Sequence, residues 1–364
     1  MRLLVCAGMT GGGVYPALAV LQSLKNNPTE TLWVGSRSGM EQTLLNGYDL
    51  TYRPISGGGV HGMSPLTLPK NVLQLLKGWQ ESKKIISDFK PDVCFYTGGY
   101  IGVPMAFAAQ TIPSVVFIPD IEPGFALKLI NSRATRICVS TELSRQYIPG
   151  KSVIQVTGYP LRKEITSWTR KKARAYFGIS KNEMVLLVYG GSKGAQSINA
   201  AFIDSVEEIL ARFTVIHITG NENFELVKSK IGSTKKENYH LFPFLHKEIG
   251  AAFAAANLAV CRAGASTLGE LPFFGLPAIL VPYPHAWKYQ HTNAQYLADS
   301  GGAVILEDSD LSTEFAARVS EILMNKRRLS EMSANMKSLS TEGAAAKIAE
   351  TIQETAVTNE EEKN

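Results

Sequence analysis

Two stretches of this chain are written to one plan. VCAGMTGGGVYPALAVLQSL (Val5–Leu24) and LLVYGGSKGAQSINAAF (Leu186–Phe202) each read as an apolar strand, a glycine turn and a helix. Between and after them, β-branched apolar runs alternate with helical patterns, the signature of βα units and parallel sheets. The strand candidates of the first half are Arg2–Ala7, Thr31–Val34, Asp92–Tyr96, Ser114–Ile118, Arg136–Val139 and Val153–Thr157. Those of the second are Met184–Tyr189, Phe213–Thr219, Tyr239–Phe242, Leu258–Cys261, Ala278–Val281 and Ala303–Leu306. The expected fold is therefore α/β, with two doubly wound, Rossmann-like parallel-sheet domains that bind ligands beyond their strand C-termini. The expected domains are 1–158 and 159–340, divided where Gly158 to Arg162 breaks the pattern. A helix in 341–364, followed by a polar tail, would then cross back to the first domain.

A chain of 364 residues fits about two domains, and 45% hydrophobic against 19% charged residues describes a globular protein with ample core. The net charge of +5 is too weak to argue for nucleic acid, but it suits an anionic substrate or an acidic membrane surface. Cys6, Cys94, Cys138 and Cys261 lie in or at the ends of strand-like runs, with no CxxC, and read as buried, reduced thiols of a cytosolic protein. No secretory signal is seen, and no run approaches the ~20 apolar residues of a membrane span.

VCRAGASTLGE (Val260–Glu270) carries the most chemistry. A strand ends at Arg262, small residues follow, and Glu270 sits in the opening turns of a helix. Helix-start amides and the positive dipole end seat phosphate, and a nearby carboxylate accepts both hydrogen bonds of a ribose diol. A plain strand-to-helix turn is the alternative. Gly11-Gly12-Gly13 does not spell GxGxxG, strand two ends without a ribose-binding acid, and GGSKGA lacks Walker A spacing, so a dehydrogenase or an NTPase is disfavoured. The literal DxD at Asp308–Asp310 reads as an N-cap by Asp310, or by Ser312 beyond it, rather than as a metal seat.

Several of these segments together resemble the MurG family of bacterial peptidoglycan transferases. AGMTGGGVYPALAV is similar to its AGGTGGHVFPALAV loop, WVGSRSGME to its second strand, and YTGGYIGVP to its GGYxSxP turn. TGYPLR is similar to GNPVR, GGSKGAQSIN to GGSQGAxxxN, and Cys261–Ala294 to the long donor signature. The resemblance implies a GT-B architecture and an inverting transfer of N-acetylglucosamine from UDP-GlcNAc to a polyprenyl-linked acceptor, lipid I, without a cofactor or metal. Glu270 would take the ribose, and Ala265, Ser266 and Thr267, with Leu268 and Gly269, would present the helix start to the diphosphate and sugar. Ser192 and Arg162 would hold phosphate, Leu245 would meet uracil, and Thr10, Gly11 and Gly12 would complete the donor set. Gln290 would contact the sugar; Gln290 and Asn293 also share one helix face by spacing.

The chain departs from that pattern where a base is needed. The family's His stands at Gly13, its HEQN reads Pro119-Asp120-Ile121-Glu122, and Trp287 and Tyr289 replace the acid and first Gln of DRQQ. The remaining candidate bases are Glu122, Asp120 and His61, with helix capping the other reading of the two acids. An acceptor such as diacylglycerol, or a non-catalytic UDP-sugar-binding role, are the alternative functions. Ser64–Lys84 alternates apolar residues, including Leu73, Leu76 and Trp79, with Lys70 and Lys77, which suits either an anionic lipid interface or a helix packed on the sheet. Gly99 and Tyr100 would flank the acceptor. The expected location is the cytoplasmic face of the cell membrane, held peripherally.

Overall fold

The computed structural model describes residues 1–8, 11–24, 29–37, 39, 41–58, 68–150, 152–191, 194–232, 237–284 and 289–361. It forms two compact units, Met1–Arg162 with Glu342–Asn364, and Lys163–Thr341. The first holds β1 (Arg2–Ala7), β2 (Glu30–Ser36), β3 (Thr51–Ile55), β4 (Val93–Gly98), β5 (Ser114–Ile118), β6 (Arg136–Val139) and β7 (Val153–Val156). The second holds β8 (Val185–Tyr189), β9 (Thr214–Ile218), β10 (Tyr239–Phe242), β11 (Leu258–Cys261), β12 (Ala278–Leu280) and β13 (Ala303–Ile305). The sheet orders are β3-β2-β1-β4-β5-β6-β7 and β10-β9-β8-β11-β12-β13. All described pairings are parallel. In each sheet the order reverses beside the first strand, at β1/β4 and at β8/β11.

Helices cover both faces of such sheets, so their inner strands are apolar on both sides. Every residue of β5, β8, β9 and β11 is buried. That continuous burial is what makes these strands readable from sequence. β3 differs: TYRPI lies at a sheet edge, is largely exposed, and carries Pro54, which an edge strand tolerates because one side needs no ladder donor. It was not among the expected strands.

The helix Ala344–Glu361 belongs to the first unit, with Ile348 and Ile352 fully buried. Thr351 donates to Gln155 (2.7 Å), and Arg136 pairs with Glu354 (2.7 Å). All four cysteines are buried and free. Burial pushes the Cys94, Cys138 and Cys261 thiols up to about 12, which keeps them protonated and unreactive. Among the described residues no helix is long and apolar enough to cross a membrane.

Candidate active site

Because the second sheet is all parallel, the loops after its strands gather along one edge. The pairing of Tyr189 with Cys261 puts two of them side by side at the switch point: the glycine turn after β8 and the Arg262–Ser266 turn after β11. Ligands of doubly wound sheets bind there. In the second turn Thr267 donates through its amide (3.0 Å) and hydroxyl (2.6 Å) to the Gly264 carbonyl. The Leu268, Gly269 and Glu270 amides likewise bond back to Ala265 and Ser266. Thr267 thus uses its amide inside the turn, whereas the amides of Gly264, Ala265 and Ser266 meet no acceptor among the described residues. An added Cβ at Gly264 would meet nothing within 4 Å, so the turn is open at its apex. Ser266 Oγ donates to Glu270 Oε2 (2.8 Å), which fixes the largely buried carboxylate one helical turn from those amides.

The turn is braced from three directions. Asn293, fully buried on the helix Tyr289–Asp299, donates to the Ala263 carbonyl at 3.1 Å. Arg262 bonds the Val281 and Pro282 carbonyls (3.2 and 3.4 Å) and Ser197 Oγ (2.7 Å), and pairs with Asp308. Ser197 in turn donates to Asp308 (2.8 Å). The DxD therefore supplies an ion-pair partner for Arg262. Asp310 occupies the N-cap position of the helix Leu311–Met324, but its side chain makes no capping bond; it accepts from Ser309 instead. Gln290 Oε1 accepts from the Tyr283 amide (2.9 Å), so this side chain orders the loop after β12. Leu245 is buried in the loop after β10, on the same sheet edge. Thr10, His61 and Ser192 lie outside the described residues.

The glycine turn after β8 rests on a buried polar chain that sequence reading missed. Gly194 has φ +77°, and a Cβ there would stand 2.1 Å from the Thr219 carbonyl, so only glycine fits. Asn199 Nδ2 donates to that same carbonyl (3.0 Å), which turns its Oδ1 toward His217 Nε2 (3.0 Å). Nε2 must then carry the proton, leaving Nδ1 to accept from the Tyr239 hydroxyl (2.9 Å). Burial drives His217 down to about 3, so the ring is neutral. The GGSKGAQSIN motif hinted at Asn199, but nothing local points to His217.

In the first unit the turns after β1, β4 and β5 line the equivalent sheet edge. At Gly13, where the resemblance implies histidine, a Cβ would stand 3.2 Å from the Gly8 carbonyl oxygen, a tight fit. Thr97 Oγ1 bonds the Gly13 carbonyl at 2.6 Å and holds it there. Gly98 and Gly99 (φ +124° and +88°) turn the chain sharply after β4 and present Tyr100. Burial and the nearby Glu41 carboxylate raise the Tyr100 hydroxyl. Glu41 itself is fully buried beside Gly8, a placement the sequence did not signal. Asp120 and Glu122 are half-buried in the turn after β5, and Glu122 pairs with Lys128 at 3.3 Å. The helix Phe125–Asn131 begins at Gly124, so neither acid stands at its N-cap position. Arg162 is buried with its guanidinium 4.0 Å over the Tyr15 ring. Its Nε meets no acceptor among the described residues. No group of three His, Cys, Asp or Glu that could hold a metal ion is found among the described residues.

Two doubly wound parallel sheets, the second with an amide turn and a carboxylate at its switch point, define a glycosyltransferase of the GT-B class. Residues 3–139 match the glycosyltransferase family 28 N-terminal domain, and residues 185–352 match its C-terminal domain. The UDP-N-acetylglucosamine--N-acetylmuramyl-(pentapeptide) pyrophosphoryl-undecaprenol N-acetylglucosamine transferase of Bacillus subtilis is 32% identical, over 97% of this chain and 99% of that one. The transferase of the same name from Desulforamulus reducens is 33% identical, over 93% and 94%. The chain belongs to glycosyltransferase family 28, in its MurG branch. The fold is shared with the crystal structure of Acinetobacter baumannii MurG (TM-score 0.75, 24% identity, 97% and 99% covered). It is shared also with the UDP-GlcNAc 2-epimerase of Neisseria meningitidis, solved bound to UDP-GlcNAc (TM-score 0.70, 16% identity, 97% and 100% covered).

Proposed function

We propose that this protein transfers N-acetylglucosamine from UDP-GlcNAc to undecaprenyl-pyrophosphoryl-MurNAc-pentapeptide, the reaction in the name of its Bacillus subtilis relative. One observation carries the donor half: three amides that meet no acceptor among the described residues, at Gly264 to Ser266, lie one helical turn from the Ser266-held Glu270. That arrangement suits a diphosphate on the amides and a ribose diol on the acid. Leu245 takes the uracil and Gln290 the sugar. Thr10, Gly11, Gly12, Ser192 and Arg162 complete the donor set, the last as a buried guanidinium with a donor to spare.

In the reaction the acceptor hydroxyl oxygen bonds to C1 of the sugar while the bond from C1 to the diphosphate oxygen breaks. UDP leaves with that electron pair, and preorganised amides stabilise its growing negative charge. One displacement inverts the anomeric centre. The hydroxyl proton passes to a carboxylate, which we assign to Glu122 or Asp120, with Gly99 and Tyr100 beside the acceptor. Lys128 pairs with Glu122 at 3.3 Å and orients its carboxylate.

The polyprenyl chain of the acceptor requires a lipid surface. On the helix Leu68–Phe89, Val72, Leu73 and Leu76 are 42%, 67% and 54% exposed, unusual for such side chains. Lys70 and Lys77 are exposed on the same helix, and Lys83 stacks 3.5 Å over the half-buried Trp79 ring. An apolar stripe rimmed by lysines suits an anionic membrane, with the protein peripheral on the cytoplasmic face.

The test is to offer labelled UDP-GlcNAc with lipid I in vesicles and, separately, with diacylglycerol. Label in the lipid I product is expected. Label only in a diacylglycerol product would move the acceptor, and no transfer to either by protein that binds UDP would end the catalytic reading.

A further inference from the structure

The membrane-facing helix is tied to the acceptor edge of the sheet by the Glu81 carboxylate, while Asp88 near the end of the helix pairs with Arg53 of β3 at 3.3 Å. Glu81 projects from the helix Leu68–Phe89 to the end of β3, where it accepts from the Ser56 amide (2.5 Å) and hydroxyl (3.2 Å). Arg37, just beyond β2, donates to the same carboxylate at 2.9 Å. These partners overcome the desolvation of Glu81 and hold its carboxyl below the usual carboxylate range. One turn earlier Gly78 lies so close that an added Cβ would stand 2.0 Å from the Ser56 carbonyl. The residues that follow are gripped as well. A Cβ at Gly57 would meet Ile101 at 2.5 Å and the Tyr100 ring at 3.1 Å, and one at Gly58 would meet Asn71 at 2.9 Å.

Ser56 to Gly58 is therefore packed between the helix with the exposed Val72, Leu73 and Leu76 and the Tyr100 turn assigned above to the acceptor. All three segments lie at the C-terminal edge of the first sheet. The helix cannot shift on a lipid surface without dragging this loop, because one carboxylate bonds the helix to the ends of two strands. Glycine at 78 and 57 makes that contact close enough to transmit a displacement of a fraction of an ångström.

We propose that Glu81 is a positioning residue for the lipid-linked acceptor: it latches the membrane-seated helix to the loop after β3 and so fixes where the acceptor headgroup meets Tyr100. This rests on the reading of that helix as the lipid-facing surface. It predicts an effect on use of the acceptor and none on the donor, because neither Glu81 nor its partners Ser56 and Arg37 belong to the donor set assigned above. Loss of a carboxylate that accepts three hydrogen bonds, one of them from Arg37, should weaken acceptor use by roughly tenfold.

The experiment compares wild type, Glu81→Gln and Glu81→Ala with two acceptors, one borne in anionic vesicles and one a short-chain, water-soluble analogue. Expected for Glu81→Ala is a roughly tenfold rise in KM for the vesicle-borne acceptor and at most about threefold for the soluble one. Donor KM and vesicle binding should stay at wild-type values. Glu81→Gln keeps an acceptor for Ser56 but loses the Arg37 pair, and should fall between. Equal rises for both acceptors, no rise at all, or a matching rise in donor KM would overturn the latch. Wild type that fails to bind vesicles while turning over the soluble acceptor would instead remove the lipid-facing reading on which the latch depends.

Discussion

The two switch points of this molecule have the same topology but are built from different materials. At β8/β11 the groups proposed to face the donor are main-chain amides with the Glu270 carboxylate beside them, and other side chains brace the turn: Asn293 holds Ala263, Arg262 holds Ser197 and Asp308, and Ser266 holds Glu270. At β1/β4 the proposed chemistry depends on side chains, and Gly13, where the resemblance implies histidine, lies under the Gly8 carbonyl. A seat made of amides survives as long as the turn does. A base is one side chain and can be replaced by another on a neighbouring loop.

The largest expected effect lies on the side-chain half. Of Glu122→Gln and Asp120→Asn, one should cut kcat by ~10²–10⁴ with UDP affinity intact, the usual contribution of a positioned base. Near wild-type rates in both variants would break the comparison, since no acid of that turn would then be needed. Next comes the amide half. Glu270→Ala should weaken UDP binding by about a hundredfold in calorimetry, for two charge-assisted bonds to a diol lost together. Unchanged affinity would mean that the switch point of the second sheet is not the nucleotide seat.

The units should also part in acid. Every histidine among the described residues lies in the second unit, and His217 stays neutral to about pH 3 there, whereas in the unfolded chain it titrates near pH 6.5. Between those values the unfolded state binds the extra proton. The stability from neutral His217 is therefore whole above pH 6.5 and lost as pH falls toward 3, by up to about 1.4 kcal/mol per pH unit. Urea midpoints at pH 7, 5.5 and 4.5 should fall more steeply for wild type than for His217→Gln; parallel lines would contradict this. The smallest effect is expected for Gly13→His, which should cost about 1 kcal/mol by overpacking against Gly8 and bring no gain in kcat. A gain would return the base to the glycine loop and set aside the acids after β5.

Much of this was readable because buried parallel strands and their turns are local patterns. LLVY and LAVC announce strands buried on both faces, and the small residues of AGAST announce a turn that brings backbone to a ligand. Other features had no local sign. TYRPI reads as a loop because an edge strand needs neither continuous apolar residues nor every amide. Glu81 sits among lysines and looks like a solvated charge, since its partners Ser56 and Arg37 are 25 and 44 residues away. Asp308 looked like part of a cap until Arg262, 46 residues earlier, was found against it.

By itself the sequence determined the two doubly wound units, the glycine turns and the acid beside the second one, because periodicity, glycine and helix-start chemistry act over a few neighbouring residues. Only the tertiary structure decided which polar side chains brace a turn and which remain for a ligand. Hydrogen-bond partners of buried groups are chosen by proximity in space, and strand order brings together residues that are far apart in the chain.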